Sequence, residues 1–247
     1  MISDYRAHTG IGGTDVREML TDFDKWRYMR ELRAKDPEHW LIDDSPTPAM
    51  QLGTLIHMGL LQPWLYDAQG IVMDYTHSFA TIEGKNIKKK AQARASEIDG
   101  FLIRYEHDHI VKELRPNWIS ALGNLKVPYV LDPNVVEVEL YGTHEGVQCK
   151  GMADLLIDGE ILIDLKTISQ WHRRKDAIEG NFYHAQLAHY AALCTLPPRR
   201  VAVIFAETEP PYRVEAVELS IDLQARGMVA RNSVIERLAN KPSKGPF

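Results

Sequence analysis

Two apolar stretches separated by Asp158-Gly159-Glu160 constrain this chain more than anything else in it. They lie in the run from Gly151 to Thr167 and carry three charges, Asp154, Asp164 and Lys166. Charges cost free energy when taken from water into a sheet interior unless they are paired or bind an ion. A divalent cation and a neighbouring ammonium would offset that cost. The strand period of two puts Asp164 and Lys166 on one face. Asp154 and Asp164 are symmetric about Gly159. They face each other across a hairpin only if the connection has an odd number of residues, because a two-residue turn would pair Asp154 with Ile163. The reading therefore predicts the three-residue loop, although Asp-Gly alone favours a two-residue turn.

Around this hairpin the pattern changes from helical to extended. Apolar residues at Val16, Leu20, Phe23, Met29 and Leu32 predict a helix from Gly12-Gly13-Thr14 to about Ala34, with Thr14 as N-cap. The stretch Asp43 to Pro48 reads as a breaker, followed by a helix over about 50–61. Residues 63–84 read as irregular, with one short strand near Ile71–Met73. Helices are predicted over 86–97 and 107–122. From about residue 128 strands dominate: Val135–Leu140 with period two, Val147–Ile157 and Ile161–Lys166. A helix over 182–193 stops before Pro197-Pro198. A hairpin of 201–207 with 212–219 turns at Glu209-Pro210-Pro211, and a last helix covers 222–240. This order predicts an α+β chain, an α/β/α sandwich with one mixed central sheet and a helical N-terminal half. At 247 residues it reads as one domain, 1–125 mainly helical and carrying His57, 126–247 holding the catalytic sheet.

Composition narrows the function by exclusion. Two cysteines, Cys149 and Cys194, are too few for a disulfide framework, a four-cysteine zinc site or an iron–sulfur cluster. No apolar run is long enough to span a bilayer. The N-terminus lacks a signal-peptide pattern, so a cytoplasmic location is expected. The net charge of −5 does not describe a basic coat protein, but the distribution of charge matters more than its sum. Two basic clusters stand out: Lys85, Lys88 and Lys89, extended by Arg94, and Arg173-Arg174-Lys175 beside Trp171 and His172. Either could contact phosphates without reading sequence, and Trp171 could stack on an exposed base.

Two carboxylates at a sheet end make a hard oxygen site suited to Mg²⁺ or Mn²⁺. Lys166 could orient an attacking water or stabilise developing charge. Two helical features accompany the hairpin. Gly53-Thr54-Leu55-Ile56-His57 lies in the second helix, and Gln186 and Tyr190 share one face of a later helix, with Tyr183 on the same stripe.

Taken in order, His57, Glu137 or Glu139, Asp154, Asp164 with Lys166, and Gln186 with Tyr190 resemble the RecB-type branch of the PD-(D/E)xK nucleases. The finer resemblance is to exodeoxyribonuclease VIII and related phage recombination exonucleases. It rests on Tyr183-His184-x-Gln186-x-x-x-Tyr190, on Asp164-x-Lys166-Thr167 and on Gly146–Gly151 before Asp154, and covers about residues 12–195. One departure is Met152, where relatives often carry arginine. The resemblance implies a metal-dependent deoxyribonuclease that degrades one strand of linear double-stranded DNA from its end. His57, Asp154 and Asp164 would be metal ligands, with the Leu165 carbonyl as a fourth. Lys166 would be the catalytic lysine. Glu137 would assist a metal, with Glu139 as the fallback. Gln186 and Tyr190 would position the active site or the strand. The same resemblance implies a homo-oligomer and a single-strand annealing protein as partner; the lack of a long apolar run predicts no membrane association. A structure-specific or restriction-like endonuclease, and a catalytically silent DNA-binding protein on the same scaffold, remain as alternatives.

Overall fold

The computed structural model describes residues 8–35, 47–73, 80–128 and 132–240. The breaker expected at 43–48 lies outside these residues up to position 46. Eight α-helices are present among the described residues. They are α1 (Gly13–Lys35), α2 (Pro48–Leu61), α3 (Pro63–Gln69), α4 (Ile82–Glu97), α5 (Tyr105–Asn124), α6 (Arg174–Gly180), α7 (Tyr183–Leu193) and α8 (Ile221–Ala239). The main sheet is built from β3 (Val136–His144), β4 (Val147–Ile157), β5 (Ile161–Ile168), β6 (Arg200–Glu207) and β7 (Val214–Glu218), in that spatial order. All neighbours are antiparallel except β5 and β6, which run parallel through the centre. A parallel pair needs a crossover, and α6 with α7 supplies it. A second, two-stranded sheet pairs β1 (Gly70–Met73) in parallel with β2 (Phe101–Arg104).

The layers follow from which face of each strand is apolar. Ile163 and Leu165 of β5 and Ala202, Ile204 and Ala206 of β6 pack against Ile56, Leu60 and Leu61 of α2 and Val111, Leu114 and Trp118 of α5. The alternate residues Leu162, Val201, Val203 and Phe205 pack against Ile178 of α6 and Leu187 and Tyr190 of α7. Beyond α7, a third apolar cluster joins Val16, Met19, Phe23 and Trp26 of α1 to Val234 and Ile235 of α8. Helices thus cover both faces of a mixed sheet, as the order of predicted elements required.

Local sequence explains most boundaries. Thr47 caps α2, its hydroxyl accepting from the Met50 amide at 3.2 Å, with Pro48 in the first turn. Ser220 caps α8 in the same way, through the Leu223 amide. The start of α1 differs from expectation. The Asp15 carboxylate, not the Thr14 hydroxyl, accepts from the Gly12 amide at 2.7 Å. The same helix breaks at Asp22, whose backbone is extended and whose carboxylate caps the Lys25 amide. Three short elements were missed: α3 and α6, of seven residues each, and β2, of four. Segments of that length carry less than one full repeat of a helical apolar pattern, so periodicity cannot reveal them.

The hairpin loop is the predicted one. Ile157 pairs with Ile161, leaving Asp158, Gly159 and Glu160 as the turn. Asp158 and Gly159 take left-handed φ values of 52° and 70°. The chosen register keeps Leu155 opposite Ile163, both fully buried.

One buried histidine gives the fold a pH dependence. His189 on α7 is fully buried, and its Nε2 lies 3.1 Å from the Ile11 carbonyl and 3.0 Å from the Lys150 carbonyl. Nε2 therefore carries the proton and donates to both, while Nδ1 has no partner. Burial pushes its pKa down to about 4, against the pull of the two carbonyls. The folded value lies below the ordinary 6.5, so the unfolded chain takes up the proton first as pH falls. Stability should therefore be full above about pH 6.5, fall between 6.5 and 4, and level off below. Between pH 7 and 4.5 this one group should cost about 2 kcal/mol. Urea unfolding at the two pH values should show that loss for the wild type and a much smaller one for His189→Gln.

Candidate active site

The central sheet is interrupted at one row. Val136 pairs with Leu155 and Val138 with Ala153, so Glu137 counts opposite Asp154. Leu155 pairs with Ile163, so Asp154 counts opposite Asp164. Neither of these pairs forms a regular bridge. Val136 and Leu155 belong to the α2/α5 layer, whereas Val138 and Ala153 pack on the α7 layer. Both strands therefore change face at Glu137 and Asp154. Glu137 has a φ of 49°, a left-handed conformation that costs a side-chain-bearing residue about 1 kcal/mol. Such strain is found where surrounding structure holds a functional geometry in place.

The freed groups are rebonded by side chains. Asp154 Oδ2 accepts from the Leu165 amide at 2.6 Å, replacing a ladder bond. Asp154 Oδ1 lies 3.8 Å from His57 Nδ1 on α2, too far for a hydrogen bond but within the span of a shared cation. The Glu137 carboxylate accepts from Gln62 Nε2, at the end of the same helix, at 2.6 Å. Helix α2 thus contributes on one side of the row, and β3, β4 and β5 supply the carboxylates.

The electrostatics are those of crowded, partly dried acids. Asp164 is 2% exposed. The Lys166 ammonium lies 2.6 Å from its Oδ2, an ion contact without hydrogen-bond alignment, and that buried oxygen has no aligned donor. Burial pushes the Asp154 carboxyl up to about 6. His57, Lys166 and the Leu165 amide pull it down, while Asp164 raises it further. Perturbed acids of this kind gather at functional sites. Among the described residues no three His, Cys, Asp or Glu side chains are already drawn to cation-ligand spacing. The donor chemistry nonetheless fits a divalent cation: one buried carboxylate, one half-buried carboxylate and an imidazole opposite. The Lys166 ammonium supplies positive charge where the second carboxylate needs it.

Of the eight site residues expected from sequence, His57, Glu137, Asp154, Asp164, Leu165 and Lys166 come together here. Glu139 is otherwise engaged, its carboxylate accepting from the Tyr141 hydroxyl at 2.9 Å. Gln186 and Tyr190 take a different place. Gln186 Nε2 donates to the Tyr190 hydroxyl at 2.7 Å, and both are buried. The Tyr190 ring lies so close to Gly13 and Gly151 that a methyl group on either would come within 2.7 Å of it. This pair clamps the start of α1 onto α7 and β4.

Two neighbours of the lysine escaped the sequence reading of the site. The Tyr183 ring centroid is 5.0 Å from Lys166 Nζ and 4.6 Å from the Arg17 guanidinium carbon. Arg17 also donates to the Asn181 carbonyl at 2.8 Å and approaches Gln186 Oε1 at 3.4 Å. Tyr183 lay on the Gln186–Tyr190 stripe and was legible to that extent. Arg17 was one of many helix-face cations, with no local signal to mark it. Trp171 is not free to stack on a base, because the Arg174 and Arg213 guanidiniums lie 4.6 and 4.7 Å from its ring. Those two arginines pair in turn with Glu215 and Glu207.

A family described as a PDDEXK-like domain of unknown function (DUF3799) matches residues 21–241. The chain is similar to a crystal structure named "Putative exonuclease" from Eubacterium rectale, at 12% identity over 83% of this chain and 79% of that one, with a TM-score of 0.47. It is also similar to the crystal structure of SSO0001, at 17% identity over 76% and 87%, with a TM-score of 0.31. No curated protein gives a significant match. No helix among the described residues is long and apolar enough to cross a membrane.

Proposed function

The chain belongs to this PDDEXK-like family, and on that premise we propose that it is a Mg²⁺- or Mn²⁺-dependent deoxyribonuclease that hydrolyses phosphodiester bonds of linear double-stranded DNA, degrading one strand from an end. The observation that carries the reading is the interrupted row, where His57, Asp154, Asp164 and Lys166 meet at a place the sheet leaves unpaired.

Asp154, Asp164, the Leu165 carbonyl and His57 would hold the cation, and Glu137 stands next in the row to assist it. A cation held there would polarise the scissile phosphate and lower the pKa of a bound water. The chain's own residues do the rest. Asp164 fixes the Lys166 ammonium by an ion contact on the α7 side. From there the ammonium can donate to a non-bridging phosphate oxygen as negative charge builds on it. The Leu165 amide holds the Asp154 carboxylate in one orientation, which reduces the reorganisation needed on binding. The exonuclease character, the homo-oligomer and the single-strand annealing partner come from the exodeoxyribonuclease VIII resemblance and belong to this reading as expectations.

Digestion of end-labelled linear duplex and of the same sequence as a covalently closed circle tests it directly. With Mg²⁺ the linear form should be shortened progressively and the circle should persist. Chelation should stop the reaction and added Mn²⁺ should restore it. Cleavage of the circle at internal sites would replace the exonuclease by an endonuclease. Absence of hydrolysis of any DNA with either cation would end the nuclease reading.

A further inference from the structure

We propose that the groove along α1 is a single-strand DNA track that leads to the candidate active site, with Arg17 holding a phosphate near the scissile one. The inference rests on the nuclease reading above and deepens it, by naming the form of the substrate that reaches the site and the surface that guides it.

Arg17 connects the two places. Its guanidinium stacks on one ring, Tyr183, which also faces Lys166, so the two cations lie within about 10 Å of each other. That spacing suits two nearby phosphates of one strand. The Asn181 carbonyl and Gln186 hold the guanidinium in a fixed orientation, which reduces the conformational entropy lost on binding a phosphate.

From Arg17 a groove of about 750 Å³ runs beside α1 as far as Arg33, with Lys25 between them. The helix is broken at Asp22, and from residue 23 to 33 it rises by roughly 15 Å at 1.5 Å per residue. The volume admits a few nucleotides but not a duplex. Lys25 and Arg33 are exposed. Arg30 and Lys150 also line it, donating to the Thr9 and His8 carbonyls at 2.7 and 2.6 Å.

Three acids, Asp15, Glu18 and Asp22, share the groove with these cations. Asp15 accepts from the Gly12 amide and the Trp26 indole. Asp22 caps the Lys25 amide. Glu18 sits among Arg33, Arg17 and Lys25, yet burial and then Asp15 raise its carboxyl above the usual range. The groove still carries five cations against three acids, a net positive surface in a protein of net charge −5. Single-strand sites use such surfaces to follow the backbone, with little sequence preference. The lysine-bearing helix α4, by contrast, packs on β1 and β2 of the small sheet.

Binding of a fluorescent twelve-nucleotide oligothymidine, measured by anisotropy in EDTA, tests the track without cleavage. Arg17→Ala, and separately the double variant Lys25→Glu/Arg33→Glu, should weaken binding by about tenfold or more. The slope of log affinity against log salt should become shallower by about 0.7 for each contact removed. Lys85→Glu/Lys88→Glu on α4 should bind within about twofold of the wild type. Lys25 and Arg33 are exposed, so their variant does not depend on Arg17 being dispensable for folding. Wild-type affinity in both groove variants, no single-strand binding by the wild type, or weakening confined to the α4 variant would each overturn the proposal. These results are separate from the fate of the nuclease reading, which stands or falls on cleavage by the wild type with Mg²⁺.

Discussion

Asp164→Ala is expected to lower the rate of Mg²⁺-dependent DNA cleavage by about a thousandfold or more, while duplex binding stays within about threefold of the wild type. A thousandfold is about 4 kcal/mol of barrier. Two losses combine to give it. The change removes a buried carboxylate that would ligate the cation, and it frees the Lys166 ammonium that now lies 2.6 Å from that carboxylate. Lys166→Ala removes only the second contribution and should cost about 10²- to 10³-fold. Effects of groups that act together do not add, so the double variant should be hardly worse than Asp164→Ala. Both changes should also lower the stability of the folded state. Asp164 and Lys166 form a largely buried pair, so removing either partner leaves the other uncompensated and should cost about 3–5 kcal/mol of stability; the rates are therefore compared per folded molecule. Single-turnover cleavage and filter binding on the same preparations make the comparison. Full activity in Asp164→Ala would exclude the row as the catalytic centre.

The second large effect concerns stability. Tyr190→Ala should destabilise the protein by about 3–5 kcal/mol, the range for truncating a buried aromatic ring. The ring fills the space between α7, β4 and the start of α1, and both facing positions are glycines with no side chain to move into the gap. Tyr190→Phe keeps the ring and loses only the hydroxyl that accepts from Gln186, which should cost about 1 kcal/mol. Urea denaturation gives both values. The cleavage rate per folded molecule separates a positioning residue from a catalytic one. It should stay within about tenfold of the wild type in Tyr190→Phe, whereas loss on the scale of Asp164→Ala would place the phenol at the chemistry.

How the site was legible follows from particular residues. Asp154, Asp164 and Lys166 were visible because charges inside strongly apolar strands have few structural explanations. The symmetric placement of the aspartates about Gly159 then fixed the loop length, since a slip of one residue would turn every buried side chain of β5 outward. Gln186 and Tyr190 were visible as a helical stripe, but spacing on a helix does not say what the stripe faces. It faces Gly13 and Gly151 and holds α1 in place. The choice between Glu137 and Glu139 also needed the third dimension. The left-handed turn of the backbone at Glu137 and its bond to Gln62 set it beside Asp154, while Glu139 binds Tyr141.

The sequence by itself determined the layered α+β architecture, the register of the acid-bearing hairpin and the acid–lysine set. Each of these follows from local periodicity and from the cost of burying charge, which neighbouring residues express within one element. Only the tertiary structure decided that α2 delivers His57 to Asp154, that β3 and β4 change face at the same row, and that Arg17 reaches Lys166 through one tyrosine ring. Those contacts join residues from 17 to more than 160 positions apart. They depend on how helices settle on a twisted sheet, a packing outcome of the whole core that no single segment encodes.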